Sequence, residues 1–262
     1  MLSAAAGTVY SNRFDSVADL AAFTVIGEKF VSYTPPPLHT ISIDNGRLRI
    51  DTTAIPSGGS ATLVGSAFLM AGKSVIDEPY QSLLSQNPGV VSWGFNVANS
   101  DGTYNNGFHY ILACSEQDPT SITAKGYELK GGGMVGNRMI LSRFNYGVGG
   151  GAEVVIDLGS GLGTLPQMGS FRVEYDPEGD VWTLLGALGS SFIDPEGVTT
   201  VLGTGADSLY TNRDLAFFGV GGRITGTDYF DNVTIGVVPE PHAACLVLSG
   251  MVAFLLRSRK RS

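Results

Sequence analysis

Val91-Ser92-Trp93-Gly94-Phe95-Asn96-Val97 places a large apolar side chain at every second position. Only an extended chain, with its two-residue repeat, puts Val91, Trp93, Phe95 and Val97 on one face. Phe108, Tyr110, Leu112 and Cys114 repeat the pattern after the turn signals Asn99–Gly102 and Asn105–Gly107. Two such segments in succession predict two strands, with Trp93 in the core and Cys114 a small buried hydrophobe.

The pattern extends in both directions. Downstream, strands are expected at Ala124–Leu129, Met139–Phe144 and Val154–Leu158, with Gly147–Gly151 a flexible linker. Phe171, Val173 and Tyr175 alternate with Arg172, Glu174 and Asp176, and the turn Pro177–Asp180 returns the chain into Val181–Leu185. Trp182 falls in phase with its apolar neighbours and is read as core. Leu215–Val220 and Tyr229–Val237 close the series. Upstream, Asn45-Gly46 between Ile41–Ile43 and Leu48–Asp51 is a strong hairpin signal. Val9–Phe14 reads as an opening strand, and Asp15-Ser16 as the cap of a short helical turn over Ala18–Phe23. Pro35–Pro37 forces an extended loop outside any sheet interior. Ala61–Met70 reads as a strand or pair of strands. Ile76–Gln86, with Asp77 as its N-cap, is the one helix expected in the domain. About a dozen strands at roughly ten-residue spacing mean a β-sandwich or barrel.

Composition narrows the class. Charged residues are 15% of 262, the net charge is −8, and glycines number 36. An acidic chain without a basic patch in its body repels nucleic acid. Cys114 and Cys245 lie in different regions and build no disulfide framework, which fits a bacterial envelope better than a eukaryotic secretory route. His39, His109 and His242 have no zinc spacing, and His109 is read as a satisfied sheet residue. No Gly-x-Ser-x-Gly elbow supports a serine hydrolase, and no Gly-Lys-Ser/Thr follows the glycines at 147–151.

The C-terminus has its own pattern: Val238-Pro239-Glu240-Pro241, then fourteen uncharged residues from Ala243 to Leu256, then Arg257, Arg259, Lys260 and Arg261. As a helix the apolar run would reach about 21 Å, short of the ~30 Å of a hydrocarbon core, so flanking residues must snorkel or the bilayer must thin. The basic cluster holds its end on the cytoplasmic side and sends the body outward. Residues 1–7 are read as disordered or the remnant of a signal peptide, with Ala4–Ala6 suited to a signal-peptidase site. An in-frame stop directly before Met1 would contradict the second reading.

The tail resembles the PEP-CTERM sorting signal of Gram-negative bacteria. That resemblance implies sorting by an exosortase through Pro239, Glu240 and Pro241, with residues 238–262 as the signal. Ala243, Leu246, Leu248, Met251, Phe254 and Leu256 then belong to a short transmembrane helix over 243–256. The body, 8–237, resembles a concanavalin A-like or laminin-G-like jelly roll. Phe14-Asp15, the Phe171–Leu185 hairpin with Trp182, and Tyr229–Ile235 carry that likeness. It implies binding of carbohydrate or protein on a sheet face, and in some members glycoside hydrolysis.

Three site readings follow. Glu174, Asp176 and Glu178 stand at alternate positions, as a jelly-roll glycosidase places its acids about 5 Å apart. Pro177 and Gly179 turn the chain there, however, so Glu178 is expected on a solvated hairpin tip. Asp231 matches the acid that jelly-roll modules use for a structural calcium, with Asp15 as its partner. Tyr104, Tyr110, Tyr146 and Tyr210 are the aromatic candidates for stacking on sugar. The reading taken is an all-β jelly-roll β-sandwich with one C-terminal hydrophobic helix. It is exported, anchored in the inner membrane as a precursor, then carried to the cell surface or extracellular matrix. It is non-catalytic, requires no cofactor, and binds extracellular polysaccharide. A jelly-roll hydrolase and a purely structural matrix protein are the alternatives.

Overall fold

In the computed structural model the Val91–Val97 repeat becomes the middle of a long strand in one of two stacked antiparallel sheets. The structure describes residues 7–27, 38–54, 66–76, 84, 89–99, 107–132, 138–148, 150–159, 168–223 and 227–239. In chain order the strands are β1 (Gly7–Asn12), β2 (Thr24–Gly27), β3 (Leu38–Ile43), β4 (Leu48–Ala54) and β5 (Ser66–Gly72). Then come β6 (Gly89–Asn99), β7 (Gly107–Cys114), β8 (Gly126–Gly132), β9 (Arg138–Phe144) and β10 (Glu153–Asp157). The last five are β11 (Met168–Asp176), β12 (Val181–Gly189), β13 (Val201–Ala206), β14 (Phe217–Arg223) and β15 (Thr227–Pro239). An eight-stranded sheet runs β13-β12-β11-β6-β15-β4-β3, with β1 also paired to β15. A seven-stranded sheet runs β10-β9-β8-β7-β14-β5-β2.

Apolar side chains from the facing surfaces interdigitate in one core. Val91, Trp93, Phe95 and Val97 of β6 meet Phe108, Tyr110 and Leu112 of β7 there. Trp93 stacks on Trp182 at 6.0 Å, and Trp182 packs on Tyr127 and Tyr175 at 4.5 and 4.8 Å. Both tryptophans are fully buried, as their phase requires. The Asn45-Gly46 hairpin forms as read: both residues have positive φ, 52° and 70°, and Asp44 and Arg47 exchange backbone hydrogen bonds.

Several expectations change. The opening strand stops at Asn12, because Phe14 adopts φ 54° and turns its ring into the core. The expected helical turn is a 3-10 helix over Val17–Leu20 with Ser16 as N-cap. Of the segment read as a helix over 76–86, Ile76 is extended and 77–83 and 85–86 lie outside the described residues. The glycines after β9 make a hydrogen-bonded turn in place of a linker: Gly147, at φ 79°, donates to Ala124 and accepts from Gly150. β15 runs two residues past the boundary read at 237, pairing Pro239 with Gly89.

Glu240, Pro241, His242, Ala243, Leu246, Leu248, Met251, Phe254, Leu256 and the basic residues Arg257, Arg259, Lys260 and Arg261 lie outside the described residues. So do Pro35–Pro37 and Tyr104. The helix expected over 243–256 is therefore not described, and no helix among the described residues is long and apolar enough to cross a membrane.

Candidate functional site

The surface of the eight-stranded sheet that faces away from the core is polar because β6, β11 and β15 alternate. Ser92, Gly94 and Asn96 fall between the core positions of β6, and Arg172 and Glu174 do the same in β11. Thr234 lies opposite Gly94, and Asp231 opposite Asn96, across the β15–β6 ladder. A register shift between Asp231 and Thr234, with Asn232 at φ 49°, kinks β15 there. Such bulges re-aim side chains at functional surfaces.

The connection from β12 to β13 folds back over this face as a strap, residues 190–200. Its tip is a 3-10 turn, Pro195–Gly197, capped by Asp194, whose carboxylate accepts from the Glu196 amide at 3.0 Å. Side chains of the sheet hold the strap down. Ser170 accepts from the Ile193 amide at 3.0 Å, Arg172 donates to the Glu196 carbonyl at 2.5 Å, and Thr234 donates to the Glu196 carboxylate at 2.7 Å. Gly94 makes the close approach feasible: a Cβ there would collide with Thr234 Oγ1 and lie 2.9 Å from Pro195.

Between strap and β1 lies a slot of about 390 Å³. Thr8, Ser11 and Arg13 form one wall, and Phe192, Asp194 and Glu196 the other. Asn96, Asn232 and Thr234 lie at its floor. Asn96 is 0% exposed, and neither its Nδ2 nor its Oδ1 has a hydrogen-bond partner. Buried polar atoms are ordinarily paired, so a carboxamide left wholly unpaired is a place where a water or a polar group of a ligand completes the bonding. Ser92 Oγ, Arg49 Nε and Arg172 Nε on the same face are also buried and unpartnered. Arg47 lies 4.6 Å over the Phe192 ring and fixes that aromatic at the rim.

Asp231, the residue read as a calcium ligand with Asp15, feels the charge of Asp15 but also those of Arg47 and Arg13. Burial pushes the Asp231 carboxyl up; its bond from the Asn232 amide and the charges of Arg47 and Arg13 oppose that rise, and Asp15 adds to it. Calcium takes six to eight oxygens. Two carboxylates flanked by two guanidinium groups do not fit that donor set, and no group of three or more metal-ligating side chains occurs among the described residues.

The three acids of the hydrolase alternative do not converge on a groove. Glu174 is paired with Arg172 at 3.0 Å. Asp176 accepts from the Glu178 amide at 2.9 Å, and Glu178 stands exposed on the turn. Nor do the aromatics assemble. Tyr110 is fully buried in the core, stacked on Phe95 at 4.3 Å, which corrects its assignment as a surface stacker. Tyr210 is 4% exposed beneath Lys125, Arg143 and Arg213, while Tyr146 is exposed but distant in sequence from the slot.

On the opposite sheet, His109 is satisfied as expected, and by a partner that spacing did not reveal. Its Nδ1 lies 2.7 Å from Glu128, which also accepts from Lys130 at 2.9 Å and Ser142 at 3.2 Å. Burial would raise the Glu128 carboxyl, but the charges and hydrogen bonds of His109 and Lys130 outweigh it and hold it at about 2. Burial pushes the Cys114 thiol up to about 12, which leaves it inert.

Two antiparallel sheets stacked on one core define the class as an all-β sandwich. The chain is similar to the CBM2 module of the evolved Dit of Lactobacillus casei BL23 phage J-1, with TM-score 0.52 at 10% identity over 91% of this chain and 98% of that one. It is also similar to the Bacillus licheniformis β-glucanase, with TM-score 0.47 at 8% identity over 88% and 98% of the two chains. A lectin from Bauhinia forficata in complex with GalNAc matches with TM-score 0.47 at 10% identity over 87% and 97%. At such identities the likeness shows the fold alone. No protein-family model and no curated protein matches the chain.

Proposed function

We propose that this chain is an exported, non-catalytic surface module that binds saccharide in the slot between β1 and the strap. The observation that carries the reading is the Asn96 carboxamide, enclosed at the floor with both polar atoms unpaired. Its surroundings suit a polyhydroxylated ligand: short polar side chains on the floor, one cation against two acids on the walls, and an aromatic at the rim. Saccharide sites are built from such convergent polar groups beside an apolar surface. Because Glu174, Asp176 and Glu178 are each spent on a local contact or on solvent, binding without hydrolysis is favoured.

Delivery is the second half of the proposal. The Pro239-Glu240-Pro241 motif, the apolar run 243–256 and the basic end support sorting by an exosortase, first as an inner-membrane precursor and then to the cell surface or matrix. One experiment tests both halves: fractionate cells expressing the full chain and apply the recovered protein to a glycan array. Membrane association that depends on residues 238–262, together with retention on polysaccharide spots, is expected. A cytosolic protein would sink the sorting reading, and a blank array the saccharide reading.

A further inference from the structure

The floor of the slot specifies more than a polar ligand. A carboxamide presents an N–H donor and a carbonyl acceptor side by side on one edge. In Asn96 both are withdrawn from water and both are unpaired, so each lacks the bond that would offset its desolvation. The missing partner must therefore offer an acceptor and a donor at neighbouring positions.

The carboxamide itself removes charged candidates: a carboxylate brings no donor for Oδ1, and an ammonium group brings no acceptor for Nδ2. The walls, with Arg13 facing Asp194 and Glu196, complement neither charge alone. Two hydroxyls on adjacent carbons satisfy every condition, since each can donate or accept and neither carries charge. Resting on the saccharide reading above, we infer that the slot selects a neutral sugar through one vicinal diol. One hydroxyl donates to Asn96 Oδ1, and the other accepts from Asn96 Nδ2.

Access follows from the same geometry. Asn96 is 0% exposed, so a wall must give before a ligand touches it. β1 is held by its ladder with β15, whereas the strap is fastened to this face by the side chains of Ser170, Arg172 and Thr234. Entry from the strap side requires the Thr234–Glu196 bond to open.

The test is calorimetric titration of the full chain with methyl β-D-glucopyranoside and methyl α-D-mannopyranoside, each alongside its complete set of mono-deoxy analogues. For whichever parent binds, loss of either of two adjacent hydroxyls is expected to weaken affinity by about tenfold, and loss of any other by less than about twofold. Equal losses at all positions, or the largest losses at non-adjacent ones, would overturn the diol assignment and leave saccharide binding standing. If neither parent binds, a glycan retained on the array replaces it in the same deoxy series, and if none is retained the saccharide reading fails before this one is reached.

Discussion

Replacing Glu128 by glutamine is expected to cost about 3–5 kcal/mol of folding free energy, read by urea denaturation of the full chain. The carboxylate is 0% exposed and is held by His109, Lys130 and Ser142 from the same and neighbouring strands. Glutamine keeps the shape but removes the counter-charge, leaving the buried His109 and the half-buried Lys130 without their anion. Breaking one member of a buried ionic group costs more than the group ever contributed, because the remaining charge stays desolvated. The pH dependence has a definite sign. The folded carboxyl, at about 2, lies below its ordinary value of 4.5, so its stabilisation is present above about 4.5 and is lost as pH falls toward about 2. Stability of the wild type should therefore fall across that window more steeply than that of Glu128→Gln. A cost below about 1 kcal/mol, or parallel acid profiles, would mean the cluster does not hold the sheet.

Trp182→Ala is expected to be comparably severe, at about 3–5 kcal/mol. The indole is fully buried between Trp93, Tyr127 and Tyr175, and its Nε1 donates to the Asp207 carbonyl at 3.0 Å. Truncation opens a cavity among rigid rings that cannot collapse into it. It also removes the donor to a loop residue whose carboxylate accepts from Tyr127 at 2.6 Å and Arg143 at 2.9 Å. Trp182→Phe keeps a ring in the stack and loses the hydrogen bond, so about 1–2 kcal/mol is expected. Equal costs for the two variants, measured by the same denaturation, would show that ring packing is not what Trp182 supplies.

The sandwich was legible wherever two-residue alternation was strong. Val91–Val97 gave both the strand and its core face, and Asn45-Gly46 gave a turn whose positive φ values leave little choice of residue. The same alternation held Tyr110 in phase with Phe108 and Leu112, so its burial was readable there and its polar hydroxyl misled. Phe14 escaped because a left-handed φ at a bulky residue is uncommon, and nothing local announces it. The slot was hidden for a different reason. Asn96 sits on the polar side of β6, where alternation alone says solvent. It is enclosed by a strap 94 to 104 residues further along, across contacts that no periodicity encodes. The His109–Glu128 pair likewise required the β7–β8 register, which opposes His109 to Lys130 and not to Glu128.

Asn96→Leu separates a binding floor from a structural residue. Leucine removes two unpaired buried polar atoms at similar size, so the melting temperature of the full chain should stay level or rise while retention on the glycan array is lost. A lower melting temperature with retention intact would mean that Asn96 serves the fold and that saccharide, if bound, lies elsewhere.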